Sequence, residues 1–273
     1  MRKFAVWASL ISNILLVFTG AVVRLTGSGL GCPTWPTCTG KSMVPVPEAG
    51  IHGIIENTNR FLTVVLVAIA VLTVWVFRKV RWARLLTWGL LAGIPAQAVI
   101  GGVSVWTQLN PWVVGSHFLV SVILIALATT LVWRFNAPSI APTGSAPNTM
   151  SWLIAGAGLV AILVGVVVTG AGPHAGDAKA PRNGLDLEIW QHYHSYPAYI
   201  TLALVLVQLY MVRKNHQLLR GYSLVLTVLI VQAIIGVTQA RLGVPAPLVA
   251  VHVLLAAVLA SLLTVQRLAV KAK

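Results

Sequence analysis

Residues 97–117, QAVIGGVSVWTQLNPWVVGSH, and residues 232–252, QAIIGVTQARLGVPAPLVAVH, are two versions of one pattern. Each opens on Gln-Ala-x-Ile-Gly and closes on a histidine 20 residues after the glutamine, at a constant offset of 135. A long pattern that recurs at a fixed offset marks a duplicated structural unit. The same offset carries Asn59 onto His194 and Glu56 onto Gln191. TGSG at 26–29 and TGAG at 169–172 mark a further correspondence, with a different offset because the loops differ in length. The chain therefore divides into an N-terminal half, 1–135, a linker, 136–149, and a C-terminal half, 150–273.

Composition sets what each half is made of. Of 273 residues, 58% are hydrophobic and 9% charged, which excludes a soluble domain of this length. A hydrocarbon core of roughly 30 Å takes about 20 apolar residues per helix. Eight stretches qualify: 4–23, 61–77, 83–105, 112–133, 151–170, 189–212, 221–240 and 247–266. The predicted fold is an all-α integral membrane protein with eight transmembrane helices in two tandem four-helix bundles. Four crossings return the chain to its starting side. The two halves then run in the same sense, about a pseudo-two-fold axis along the membrane normal.

The net charge of +14 suggests nucleic acid until the basic residues are placed. With the N-terminus inside, Arg2, Lys3, Arg78, Lys79, Arg81, Arg84, Arg134, Arg213, Lys214, Arg220, Arg267, Lys271 and Lys273 all fall on the cytoplasmic side. That is the positive-inside pattern, with both termini cytoplasmic, and it leaves no call for a nucleic-acid partner. All five acids, Glu48, Glu56, Asp177, Asp186 and Glu188, fall on the outer side or at outer helix ends. The first segment has the basic start of a signal peptide but no small-x-small cleavage site, so it reads as the first membrane helix. Without an amphipathic presequence, a bacterial cell membrane is the expected location.

The even-numbered helices all descend from the outside. Asn59, His117, His194 and His252 therefore lie at one depth near their outer ends, two per half. A flat macrocycle held between facing helices of a bundle needs this arrangement. Two neutral imidazoles on facing helices make a six-coordinate haem iron, so His194 and His252 are the expected axial pair of the C-terminal half. In the N-terminal half His117 faces Asn59, whose amide oxygen is a poor iron ligand. That site is expected to be five-coordinate or completed by another group. His192 points elsewhere on its helix, and His52 lies two turns above Asn59.

Glu56 sits one turn above Asn59 on the same helical face. A carboxylate at this depth is a candidate for proton relay or substrate activation, and an ion pair with Arg60, four residues on, is compatible with that role. Arg24, Arg60 and Arg241 are candidates for anchoring haem propionates, with simple snorkelling as the alternative. Cys32 and Cys38, in GLGCPTWPTCTG, are the only cysteines, and an oxidising compartment favours a disulfide between them. Whether such a bond is a staple or exchanges with a partner thiol is open at this point.

Taken together, RLTGSGLGCPTWPTC, the acid-x-x-Asn-Arg run at 56–60 and the histidines of the even helices resemble the heme A synthase family over essentially the whole chain. The resemblance implies oxidation of the C8 methyl of heme O to a formyl group, giving heme A for cytochrome c oxidase assembly. It implies heme b on His194 and His252, substrate haem in the N-terminal half on His117, Glu56 as the essential acid and Cys32–Cys38 as a loop disulfide. A heme O synthase and an electron donor are the partners it suggests. Many family members carry His where this chain has Asn59. Two rivals predict other things: a di-haem cytochrome b acting only as an electron carrier, and a transporter with a polar site at mid-membrane.

Overall fold

The computed structural model describes residues 1–136, 140 and 143–270. These form eight long helices: α1 (Arg2–Leu25), α2 (Gly50–Phe77), α3 (Arg84–Trp106), α4 (Pro111–Asn136), α5 (Ser145–Ala171), α6 (Leu187–Met211), α7 (His216–Arg241) and α8 (Ala246–Ala269). Seven are long and apolar enough to cross a membrane, and the molecule is a multi-pass membrane protein. The exception, α6, has 25 residues, about 37 Å of helix. Its first turns carry Glu188, Gln191, His192 and His194, and this polar start lowers its hydropathy.

Lipid-facing character is visible in what the helices expose. Phe4, Ile11, Leu15, Phe61, Val64 and Trp75 lie on the outer surface, whereas Ser9, Asn13, Thr73 and Gln97 are buried. Several of the buried polar groups pair with one another or with backbone, as an apolar solvent favours. Ser9 and Thr73 share a 3.0 Å hydrogen bond between α1 and α2, and Asn13 donates to the Ser9 carbonyl at 2.8 Å.

In the first half α1 packs on α2 and α4, and α3 on α2 and α4; in the second, α5 packs on α6 and α8, and α7 on α6 and α8. A core around Val6, Phe77, Leu90, Ile125 and Leu131 fills the first ring, and one around Ile154, Val205, Leu218, Tyr222 and Val225 fills the second. The halves meet where α8 packs on α1 and α4, and α4 on α5. Across this seam Thr129 donates to Ser261 at 2.9 Å, a buried bond between α4 and α8.

Most helices start and stop within a few residues of expectation. Two starts differ more. α2 begins at Gly50, after a short 3₁₀ turn at Pro47–Ala49, eleven residues ahead of the apolar run. The polar sequence from His52 to Arg60 hides that extension from hydropathy, yet it lies on helical backbone throughout. α5 begins at Ser145, so the expected linker is shorter than 136–149; its residues 137–139 and 141–142 lie outside the described residues, as do Lys271 and Lys273.

Candidate functional site

The two ends of the repeated motif touch. Gln97 Nε2 on α3 donates to the main-chain carbonyl of His117 on α4 at 3.0 Å, and Gln232 Nε2 on α7 donates to that of His252 on α8 at 3.1 Å. In the first half Gln97 also donates to Ser121 Oγ. The motif's glycine has an equally plain task. A Cβ on Gly101 would stand 3.2 Å from His117 Cε1, and one on Gly236 would stand 3.5 Å from His252 Cε1. Gln-Ala-x-Ile-Gly thus provides one group that ties down the histidine's backbone and a glycine beside its ring, tight against His117 and in ordinary contact range of His252. On α5, Gly165 serves His194 in the same way, its notional Cβ 2.9 Å from Cε1.

His194 and His252 face each other with ring centres 6.2 Å apart and planes inclined at 72°. An axial imidazole nitrogen sits about 2 Å from its metal, which puts the centres of two axial rings about 6 Å apart. The pair therefore fits a shared metal between two rings. Edge-to-face stacking of two aromatic rings also occurs at this separation, but these rings are poorly served by it. The Nδ1 atoms of His194, His252 and His117 are all buried without a hydrogen-bond partner. Buried unpaired nitrogens are uncommon and call for a reason such as an absent ligand.

Asn59 does not stand in for an imidazole. Its Oδ1 accepts a 2.7 Å hydrogen bond from the hydroxyl of Thr19 on α1. Thr19 belongs to no repeated pattern, and nothing in the sequence singles it out.

Glu56 is 5% exposed, and both its oxygens are engaged. Oε2 accepts from the Cys32 N–H at 2.7 Å, and Oε1 accepts from Arg60 Nη2 at 2.5 Å and from Nε at 3.1 Å. The same guanidinium donates to the carbonyls of Cys32 at 3.1 Å, Thr34 at 3.0 Å and Thr37 at 3.3 Å. Cys32 and Cys38 form a disulfide. This small covalent loop is therefore clamped onto α2 by one acid and one base. Its Trp35 packs edge-on against Trp106 at 5.4 Å and lies directly against Gly102, one residue beyond the glycine beside His117.

The remaining residues singled out in the sequence divide clearly. Arg24 Nη2 donates to the Thr169 carbonyl at 2.5 Å and so ties the end of α1 to the end of α5. His52 Nδ1 pairs with buried Ser28 Oγ at 2.9 Å, away from the other rings. His192 and Arg241 are exposed. No cluster of three or more His, Cys, Asp or Glu suited to a bare metal ion occurs among the described residues.

Comparison with known proteins finds relatives of this chain. The cytochrome oxidase assembly protein family (COX15-CtaA) matches residues 3–57, a stretch that includes both cysteines and Glu56. A heme A synthase of Lysinibacillus sphaericus is 37% identical over 136 residues, 48% of this chain and 43% of the relative. Those of Geobacillus thermodenitrificans and Listeria welshimeri are each 31% identical, over 48% and 46% of this chain and 42% and 41% of the relatives. The chain spans somewhat under half of the length of these relatives. It is thus similar to heme A synthases over about half of its own length, and its disulfide loop falls within the stretch matched by the COX15-CtaA family.

Proposed function

We propose that the chain is a heme A synthase, a membrane oxidoreductase that converts the C8 methyl group of heme O to a formyl group. The observation that carries this reading is the His194–His252 pair, with a glycine beside each ring and ring centres at 6.2 Å. The similarity to heme A synthases supplies the substrate. His194 and His252 hold heme b in the C-terminal half, residues 150–273. His117 holds the substrate haem in the N-terminal half, residues 1–135, and Arg60 and Arg24 lie at the same end of the bundle as the propionates would.

The bound haem supplies the redox chemistry. The chain's own residues bind, orient and manage protons. Gln97 and Gln232 fix the two ligand backbones, and the glycines leave each ring free to meet its iron. Glu56 Oε2 has one donor and therefore a spare lone pair with which to accept a proton-bearing group. The Cys32–Cys38 loop covers the site and carries Trp35 against α3 beside His117. Matching motif contacts in the two halves support a pseudo-two-fold relation, and the clustered basic residues support cytoplasmic termini in a bacterial membrane. An electron donor and a heme O synthase are the expected partners.

The test is coexpression with a heme O synthase, followed by chromatography of the extracted pigments. Heme A is the expected product. Two protohaems per chain, with neither heme O nor heme A, would instead identify a cytochrome b electron carrier.

A further inference from the structure

We propose that Thr19 orients the Asn59 amide so that its NH₂ group becomes the hydrogen-bond donor on the substrate-haem face opposite His117. This rests on the assignment of the N-terminal half as the substrate site.

The orientation follows from one hydroxyl hydrogen. Thr19 Oγ1 lies 3.2 Å from the Leu16 carbonyl and 2.7 Å from Asn59 Oδ1. O–H···O bonds cluster at about 2.7–2.8 Å, whereas N–H···O bonds cluster at about 2.9–3.0 Å. The short contact is therefore hydroxyl to amide oxygen. The oxygen is held against α1, and Nδ2 is turned away from it with no hydrogen-bond partner among the described residues.

The direction inferred for Nδ2 rests on the sequence repeat. By the 135-residue offset Asn59 and His117 correspond to His194 and His252, and that second pair meets across α6 and α8. In the second half α5 offers Gly165, with open space for a full imidazole. In the first half α1 offers a hydroxyl that holds a shorter side chain back. Thr19 thereby does two things. It draws the amide oxygen of Asn59 toward α1, and it presents a donor to whatever binds there.

Donors on the open side of a haem decide which small ligands bind and how strongly. An amide N–H favours ligands that accept hydrogen bonds, oxygen-atom or anionic ones, over neutral ligands that do not. Thr19 is a positioning residue in this scheme and Asn59 the contact.

The experiment uses purified protein carrying heme b, loaded with one further equivalent of ferric haem. The probes are fluoride, an anion that accepts hydrogen bonds, and imidazole, a neutral ligand. Asn59→Leu should weaken fluoride binding about tenfold, the loss of one charge-assisted hydrogen bond, and leave imidazole binding no weaker. Thr19→Val should move fluoride affinity in the same direction, and Thr19→Ser should restore it. Fluoride affinity that ignores Asn59→Leu, or a Thr19→Ser variant that behaves like Thr19→Val, overturns the proposal. His117→Ala separates the two levels. If the added haem still binds unchanged in that variant, the substrate-site reading falls and this inference with it. If the haem needs His117 while fluoride ignores positions 19 and 59, the donor assignment alone falls.

Discussion

Adding one methyl group at Gly165 and one at Gly236 should give opposite results, although the two glycines serve partner rings. A Cβ at Gly165 would stand 2.9 Å from His194 Cε1, 3.3 Å from Nδ1 and 3.6 Å from Nε2. Carbon atoms rest about 3.5–4.0 Å apart, so the ring must retreat by roughly 0.6 Å or more. Metal–ligand distances tolerate only about 0.2 Å. Small disturbances around a ligand of this kind typically cost ten- to hundredfold in affinity, so Gly165→Ala should lose heme b by about that factor. At Gly236 the same methyl stands 3.5 Å from His252 Cε1, an ordinary contact, and Gly236→Ala should keep its haem. Both variants are purified and titrated with haem, and the low-spin absorption bands are followed. Equal retention in the two, or a greater loss in Gly236→Ala, refutes the argument that Gly165 makes room for the His194 ring.

Three further outcomes follow from the same site. His194→Ala or His252→Ala should abolish the low-spin heme b spectrum, whereas His117→Ala should leave it intact and lower heme A yield; an unchanged spectrum in either of the first two removes the ligand assignment. Glu56→Ala should retain heme b but stop heme A production, and normal turnover in that variant counts against the acid's role. Gln232→Leu should lower stability by about 1 kcal/mol through loss of the bond to the His252 carbonyl, read as a reduced melting temperature of the haem-loaded protein; a melting temperature equal to wild type contradicts it.

Different parts of the molecule were legible in the sequence for different reasons. Seven helices announce themselves because lipid selects length and apolarity together. α6 is legible through its apolar second half and its place in the repeat, since its polar start masks it by hydropathy alone. The start of α2 at Gly50 was hidden because residues 52–60 are polar for the sake of the site, and polarity at a helix end reads as loop. His117, His194 and His252 stood out in the sequence together with Asn59, because the duplication gives the four equivalent positions. Gln97 and Gly101 stood in the repeated motif, yet their tasks require knowing that α3 and α4 run antiparallel side by side. Thr19 had no repeat counterpart and no local signal, so only coordinates reveal it.

The clamp of Glu56 and Arg60 on the disulfide loop changes how these two residues should be understood. An i, i+4 ion pair on an exposed helix is worth a few tenths of a kcal/mol. Here the pair is largely buried, and it binds the Cys32 N–H and three loop carbonyls besides itself. Buried groups of this kind are costly to leave unpaired, so the loop and the pair depend on each other. The loop's Trp35 lies against Gly102, and Gly101 lies beside the His117 ring. A contiguous path of contacts therefore runs from the disulfide loop to the acid on α2, and through its Trp35 to the glycines of α3 beside His117. Any movement of this loop must either break the Glu56–Cys32 bond or carry α2 with it. The carboxylate proposed to act on the substrate is the same group that holds the disulfide loop on α2.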